Sequence, residues 1–169
     1  MSEQGPEWLL DASDCPGYRQ HEIVAHVSRG STIHHTEYHF VTIPKRYALV
    51  NIHDYVEDAV TRSGVLDGFC FVSAMHITAG IYVNDAEDGL LEDLSGWLED
   101  LAPFGKNYHH HHTGEDNGDA HLKSYLTNHA VTAPITNKKL DFGTWQRIFY
   151  AEFDGLRQKR ILVKISGIA

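Results

Sequence analysis

Cysteine is scarce in this chain: Cys15 and Cys70 are the only two in 169 residues. Two thiols cannot make a disulfide framework, and Cys70, inside the apolar run F-C-F-V, reads as a small buried hydrophobe. Basic residues are also in deficit, 14 Lys and Arg against 23 Asp and Glu, for a formal charge of -9. That balance argues against a general nucleic-acid binder, because such affinity rests on neutralising phosphates with cations. No apolar run approaches the roughly 20 residues needed to cross a bilayer, and the start M-S-E-Q-G-P is too polar for a secretory signal. No C-x-x-C or H-E-x-x-H template, phosphate-binding glycine loop, internal repeat or interdomain linker is present. The expectation is a cytoplasmic protein with one domain and a sizeable core.

What is abundant is histidine, 13 in all, and it is concentrated. The stretch Tyr108 to Lys123, Y-H-H-H-H-T-G-E-D-N-G-D-A-H-L-K, holds five histidines, three acids and an Asn in 16 residues. Such a segment is a polar loop, ending where Asp119 can cap a helix. His121 then lies in the first turn, where the positive end of the helix dipole keeps the imidazole neutral, the form that binds metal. A catalytic metal site takes three protein ligands and leaves a position open. One of His109 to His112 and His121 supply two, and His76, at the end of a strand-forming run, is the candidate third. The alternative is a solvated cluster that binds metal adventitiously.

Along the chain, residues 1–31 form a weakly patterned leader, with a possible strand from Tyr18 to Val27. Ile33 to Ile43 alternates as a strand, with His34, His35 and His39 read as exposed positions lacking convergent partners. Asn51 to Ser63 is a helix closed by Gly64. Val65 to Met75 reads as a strand buried on both faces, and I-Y-V-N continues in strand to Asn84. From Glu87 to Ala102 a second helix carries Leu90, Leu91, Leu94, Trp97, Leu98 and Leu101 on one face and acids on the other. A short helix, Ala120 to about Asn128, is expected to bury Leu122, Tyr125 and Leu126. Four strands follow, over 130–135, 139–144, 145–153 and 159–166, with the rhythm of an antiparallel meander. The class is α+β: a compact mixed or antiparallel β-sandwich or partly closed barrel with two main helices and one short helix.

The motifs H-I-T-A-G-I-Y-V-N-D at His76 to Asp85, Y-H-H-H at Tyr108 to His111, G-E-D-N-G-D-A-H-L-K at Gly114 to Lys123, L-D-F-G-T-W-Q at Leu140 to Gln146 and E-F-D-G-L-R at Glu152 to Arg157 occur in this order. With them the chain resembles the YjbQ-like family, also called the secondary thiamine-phosphate synthase family. The match divides the chain into a leader, 1–31, and a single domain, 32–169. The resemblance implies a homotrimer and a divalent metal, usually zinc, held by His76, His110 and His121. It implies joining of a hydroxymethylpyrimidine diphosphate to a thiazole phosphate with release of pyrophosphate. In that reading Lys123 and Arg157 assist the leaving group, Asp116 and Glu152 complete the catalytic set, and Asn84, Asn117, Trp145 and Gln146 join Arg157 in holding the substrate. Two other readings stand beside it. One is a zinc-dependent hydrolase with Asp116 or Glu115 as general base. The other is a non-enzymatic trimeric metal- or ligand-binding protein.

Overall fold

The computed structural model describes residues 8–16 and 20–169. Among the described residues there are ten strands, arranged as two sheets that face one another without closing into a barrel, and three α-helices. The four-stranded sheet has the order β1 (Leu9–Leu10), β4 (Ala48–Asn51), β9 (Arg147–Glu152), β6 (Ala79–Asn84). The six-stranded sheet has the order β2 (His21–Arg29), β3 (Thr32–Thr42), β10 (Gln158–Ile168), β5 (Asp67–Ala74), β7 (Ala130–Thr136), β8 (Lys139–Leu140). All pairings are antiparallel except β1 with β4. The C-terminal strands do not form the expected meander. β9 joins the four-stranded sheet, and β10 inserts between β3 and β5 at the centre of the other. Leader residues 9–10 and 21–29 take part in the sheets, whereas the start of the strand proposed from Tyr18 falls outside the described residues.

Strand β9 sets the layering. Ile148 and Tyr150 point into the core between the sheets, with Ile81, Val72, Ile161 and Val163. Phe149 and Ala151 alternate to the opposite face and pack with Leu91 and Leu98 of α2 (Asp88–Leu101) and Ala120 of α3 (Gly118–Thr127). This period-two alternation buries one strand on both sides and makes a three-layer body. Helix α1 (His53–Ser63), ended by left-handed Gly64, packs against β3, β8, β9 and β10 with Val56, Ala59 and Val60 inward.

Four side-chain placements differ from expectation. β5 is not buried on both faces: Cys70 and Val72 point inward and Phe69 and Phe71 outward. Its Cys70 thiol is free, and burial pushes its pKa up to about 12. On α2, Leu91 and Leu98 are core while Trp97 and Leu101 are exposed. α3 is turned the other way: Ala120, Lys123 and Ser124 are buried, and Leu122, Tyr125 and Leu126 face outward. The physical reason is a buried charge, since Lys123 lies against Asp119 and Glu99, with its ammonium over the rings of Trp8 and Tyr47. Asp119 therefore does not cap the helix: Asn117 holds the N-cap position, and Asp119 accepts from Tyr47 and Lys123.

The largest correction concerns β3. His35 and His39 are buried, and both donate through Nε2 to the fully buried carboxylate of Glu37, at 2.7 and 3.0 Å. Arg62 of α1 adds two more bonds to the same carboxylate. Alternation places residues 35, 37 and 39 on one face of the strand, and that face is the inner one.

Gly68 and Gly167 are cross-strand partners between β5 and β10. A Cβ at Gly68 would stand 2.2 Å from the Ser166 carbonyl oxygen, a backbone atom that cannot yield. Gly68→Val is expected to destabilise the fold by about 3 kcal/mol, the upper end for overpacking, seen as a lower urea midpoint at unchanged slope. A loss under about 1 kcal/mol would mean that the strands do not approach this closely.

Candidate functional site

One pocket gathers chemistry from four distant segments. Its volume is about 340 Å³, and His76, Ile77, Thr78, His110, Thr113, Glu115, Asn117, His121 and Arg157 line it. His76 sits in the turn between β5 and β6, His110 in a 3-10 turn (His109–Thr113), His121 in α3, and Arg157 in the loop from β9 to β10. That loop is pinned. Gly155 packs so closely on Lys45 that a Cβ would meet its carbonyl oxygen at 1.9 Å, and Leu156 is held at a φ of 68°. A bulky residue in left-handed backbone is a strained position of the kind that clusters at functional sites.

Beneath the pocket lies Lys159, buried and surrounded by three acceptors: Glu152 Oε1, Thr78 Oγ1 and the Asp154 carbonyl. Burial pulls its pKa down, and the Glu152 carboxylate opposes that shift. Three acceptors match the three protons of an ammonium. Glu152 is itself held by Tyr150 and by the amides of Phe153 and Asp154.

The direction of this network fixes His76. Thr78 Oγ1 accepts from Lys159 at 2.9 Å and stands 2.9 Å from His76 Nδ1, to which it donates because that nitrogen also receives a backbone amide. The Thr78 backbone amide, which can only donate, points at the same Nδ1 from 3.3 Å. His76 Nδ1 is therefore bare, and in the neutral ring Nε2 carries the proton. Burial lowers the His76 pKa, and the positive charges of Lys159 and Arg157 lower it further. The neutral ring thus keeps its one N–H on Nε2, with Lys159 and Arg157 nearby and Asp154 opposing their effect.

On the opposite wall, the His110 and His121 rings meet edge to face with centroids 4.5 Å apart. Burial lowers the His121 pKa and neighbouring His110 adds to this, while Asp154, Asp119 and Glu115 act in the other direction. Asn117 donates Nδ2 to Asp154 at 3.0 Å, and Arg157 pairs with the same carboxylate oxygen. Asn117 Oδ1 is buried without a hydrogen-bond partner.

Of the site residues expected from sequence, His76, His110, His121, Asn117 and Arg157 share this pocket. Glu152 lies behind it, paired with Lys159. The others stand elsewhere. Asp116 is exposed and bonded to Arg46, and Lys123 is in the buried pair with Asp119. Asn84 accepts from the Asp85 amide, and Gln146 accepts from the Gly143 amide. Trp145 is 71% exposed and lines a different pocket with Asp85, Ala86, Glu87 and Arg147. Thr78, Asp154 and Lys159 were absent from the sequence-based set. Thr78 and Lys159 are 81 residues apart, and the β5–β10 and β6–β9 pairings bring them together.

A two-sheet α+β sandwich with a histidine-lined pocket at its strand ends is the class these features define. The chain belongs to the UPF0047 (YjbQ-like) family, whose profile matches residues 37–168. A UPF0047 protein of Archaeoglobus fulgidus is 42% identical over 120 residues, covering 71% of this chain and 92% of that protein. One from Synechocystis is 30% identical over 159 residues, covering 92% and 97%. A YbjQ-like protein of unknown function from Sulfolobus solfataricus, solved as a crystal structure, superposes with a TM-score of 0.76 at 33% identity over 80% of this chain and 99% of its own.

These findings correct the metal-centred thiamine-phosphate synthase reading, and with it the zinc hydrolase and metal-binding alternatives. The relatives carry a family designation without an activity. Among the described residues no three His, Cys, Asp or Glu side chains are grouped to hold a metal ion. The local chemistry supplies a reason. A ligating histidine ordinarily donates its second ring N–H to an acceptor, whereas His76 Nδ1 receives the Thr78 amide and has no proton to give. Among the described residues no helix is long and apolar enough to cross a membrane.

Proposed function

We propose that the pocket binds a small organic anion, phosphate or carboxylate, and presents imidazoles that can exchange a proton with it. The observation that carries this reading is the pair of Thr78 bonds to His76 Nδ1, which leave Nε2–H as a fixed donor for the pocket. Two cations stand near it, Lys159 below and Arg157 at the rim. Burial is the main reason His76 resists a proton, but Lys159 and Arg157 add to it against Asp154, and those two cations favour a negative group beside the ring. Charge-assisted hydrogen bonds from a fixed donor and a guanidinium are the usual means of holding an anion.

A homotrimer belongs to the same proposal. Ile77 at the pocket, Leu122 and Tyr125 of α3 and Phe69 of β5 expose apolar surface that a second copy would cover. The two unpaired, buried cysteines support a cytoplasmic location.

The test is an NMR titration of the histidine side chains with ethyl phosphate. His76 and His121 resonances are expected to move together with a millimolar dissociation constant, weakened about tenfold by Thr78→Val, which removes the hydroxyl that orients His76. Resonances that stay fixed to saturating ethyl phosphate would overturn the reading.

A further inference from the structure

Away from the pocket, three side chains on β2 and β3 stand in the order of a carboxylate, a base and a nucleophile. The buried Glu37 carboxylate holds His35 Nε2 at 2.7 Å, and His35 Nδ1 lies 3.0 Å from His26 Nδ1. A carboxylate only accepts, so His35 Nε2 carries a proton, and the Arg62 guanidinium bonded to the same carboxylate already balances its charge. His35 is therefore a neutral ring with a bare Nδ1, and the proton between the two rings belongs to His26 Nδ1. That leaves the lone pair of His26 Nε2 free. His26 is exposed on edge strand β2, and among the described residues its Nε2 has no hydrogen-bond partner. A nucleophile within hydrogen-bond reach of a base, with the base oriented by a third group, is the arrangement that activates a side chain for covalent chemistry. His26 and His35 precede residues 37–168, the part that the family profile matches, so membership in the family assigns them no role.

We infer that His26 is a phosphoryl-acceptor site, modified at Nε2 by a small N-phosphoryl donor. The Nε2 lone pair attacks phosphorus, and the new N–P bond forms as the P–N bond of the donor breaks and its amine departs with the bonding pair. The His26 ring, which would otherwise become cationic, passes its Nδ1 proton to His35 Nδ1, and Glu37 holds the imidazolium that results. A phosphoryl group suits the site better than a neutral acyl group, because its negative charge is balanced by the new cation on His35.

The test treats the full chain with potassium phosphoramidate at neutral pH, follows each histidine by peptide mass mapping and assigns the modified ring nitrogen by NMR. His26 is expected to react at least about tenfold faster than exposed His109 and His129, which serve as references in the same molecule, and to carry the phosphoryl group on Nε2. In His35→Gln the base is gone, and the His26 rate is expected to fall to that of the two references while theirs stay unchanged. Because His35 is buried and that variant can lose its fold, the position of the phosphoryl group on wild-type His26 is the second measurement. A phosphoryl group on Nδ1 would show that this nitrogen is not engaged with His35, and it overturns the inference. A wild-type His26 rate no higher than the references, or one that is unchanged in folded His35→Gln, overturns it as well.

Discussion

Lys159→Met is expected to cost about 3–5 kcal/mol of folding stability, because it leaves the Glu152 carboxylate charged in the core with its cation gone. Both side chains are buried, and the partners that remain to Glu152 are the Tyr150 hydroxyl and two backbone amides. Methionine preserves the volume of the lysine stem, so the loss measures charge and hydrogen bonding rather than a cavity. Urea unfolding at pH 7 checks it. The double variant Lys159→Met with Glu152→Gln is expected to regain much of the loss, since the two charges then leave together. The same substitution reaches the pocket. Thr78 Oγ1 loses the donor that helps direct its proton to His76, so ethyl phosphate affinity is expected to fall about tenfold in the double variant, which retains the fold. A single variant that loses less than about 1 kcal/mol would show that no ammonium–carboxylate pair is buried there.

That Lys159 governs the site could not be read from the chain. In K-R-I-L-V-K it is one basic residue at the start of an alternating strand, and its partners Glu152 and Thr78 carry no local signal. The convergence of His76, His121 and one of His109 to His112 was legible for the opposite reason: histidines crowded into a polar loop, at a strand end and at a helix start are placed by local structure at element termini, where pockets form, whereas the choice of His110 came from the family resemblance. Helix positions were legible from the spacing of apolar residues, but facing was not when a charge decided it. Leu122, Tyr125 and Leu126 give α3 an apolar stripe, yet Lys123 and Asp119 turn that helix over because Tyr47 and Glu99 offer them buried partners. Strand order escaped for a related reason. The short turns before β9 and β10 suggest neighbours, and nothing in them reports that β9 changes sheet. Long-range polar pairing is the common cause, since periodicity records which positions share a face but not what waits on the other side.

The same cause hid the cluster around Glu37, and its removal is the second large expected effect. Glu37 is fully buried, and its two oxygens take four hydrogen bonds, from His35, His39 and twice from Arg62. Burial works against its charge, but the bonds from Arg62, His39 and His35 prevail and hold the carboxyl well below the usual carboxylate range. Glu37→Leu leaves a guanidinium and two imidazole N–H groups without an acceptor, and about 3–5 kcal/mol of stability is expected to go. The cluster also ties β2 to the body. His35, with its proton on Nε2 for Glu37, offers bare Nδ1 to His26 Nδ1 at 3.0 Å, so His26 must be the donor. Faster amide hydrogen exchange in β2 than in β10 is therefore expected in the variant. A carboxyl whose native pKa is depressed stabilises the fold above its unfolded pKa, about 4.3, and that contribution is lost as pH falls toward the native value. Below about pH 4 the unfolded chain takes up the Glu37 proton while the native one resists, so wild-type stability drops with a slope approaching 1.4 kcal/mol per pH unit for this group. Glu37→Gln should lack that share of the slope. Parallel pH profiles for the two proteins between pH 5 and about pH 3 would mean that Glu37 titrates normally and is not held by Arg62 and the histidines.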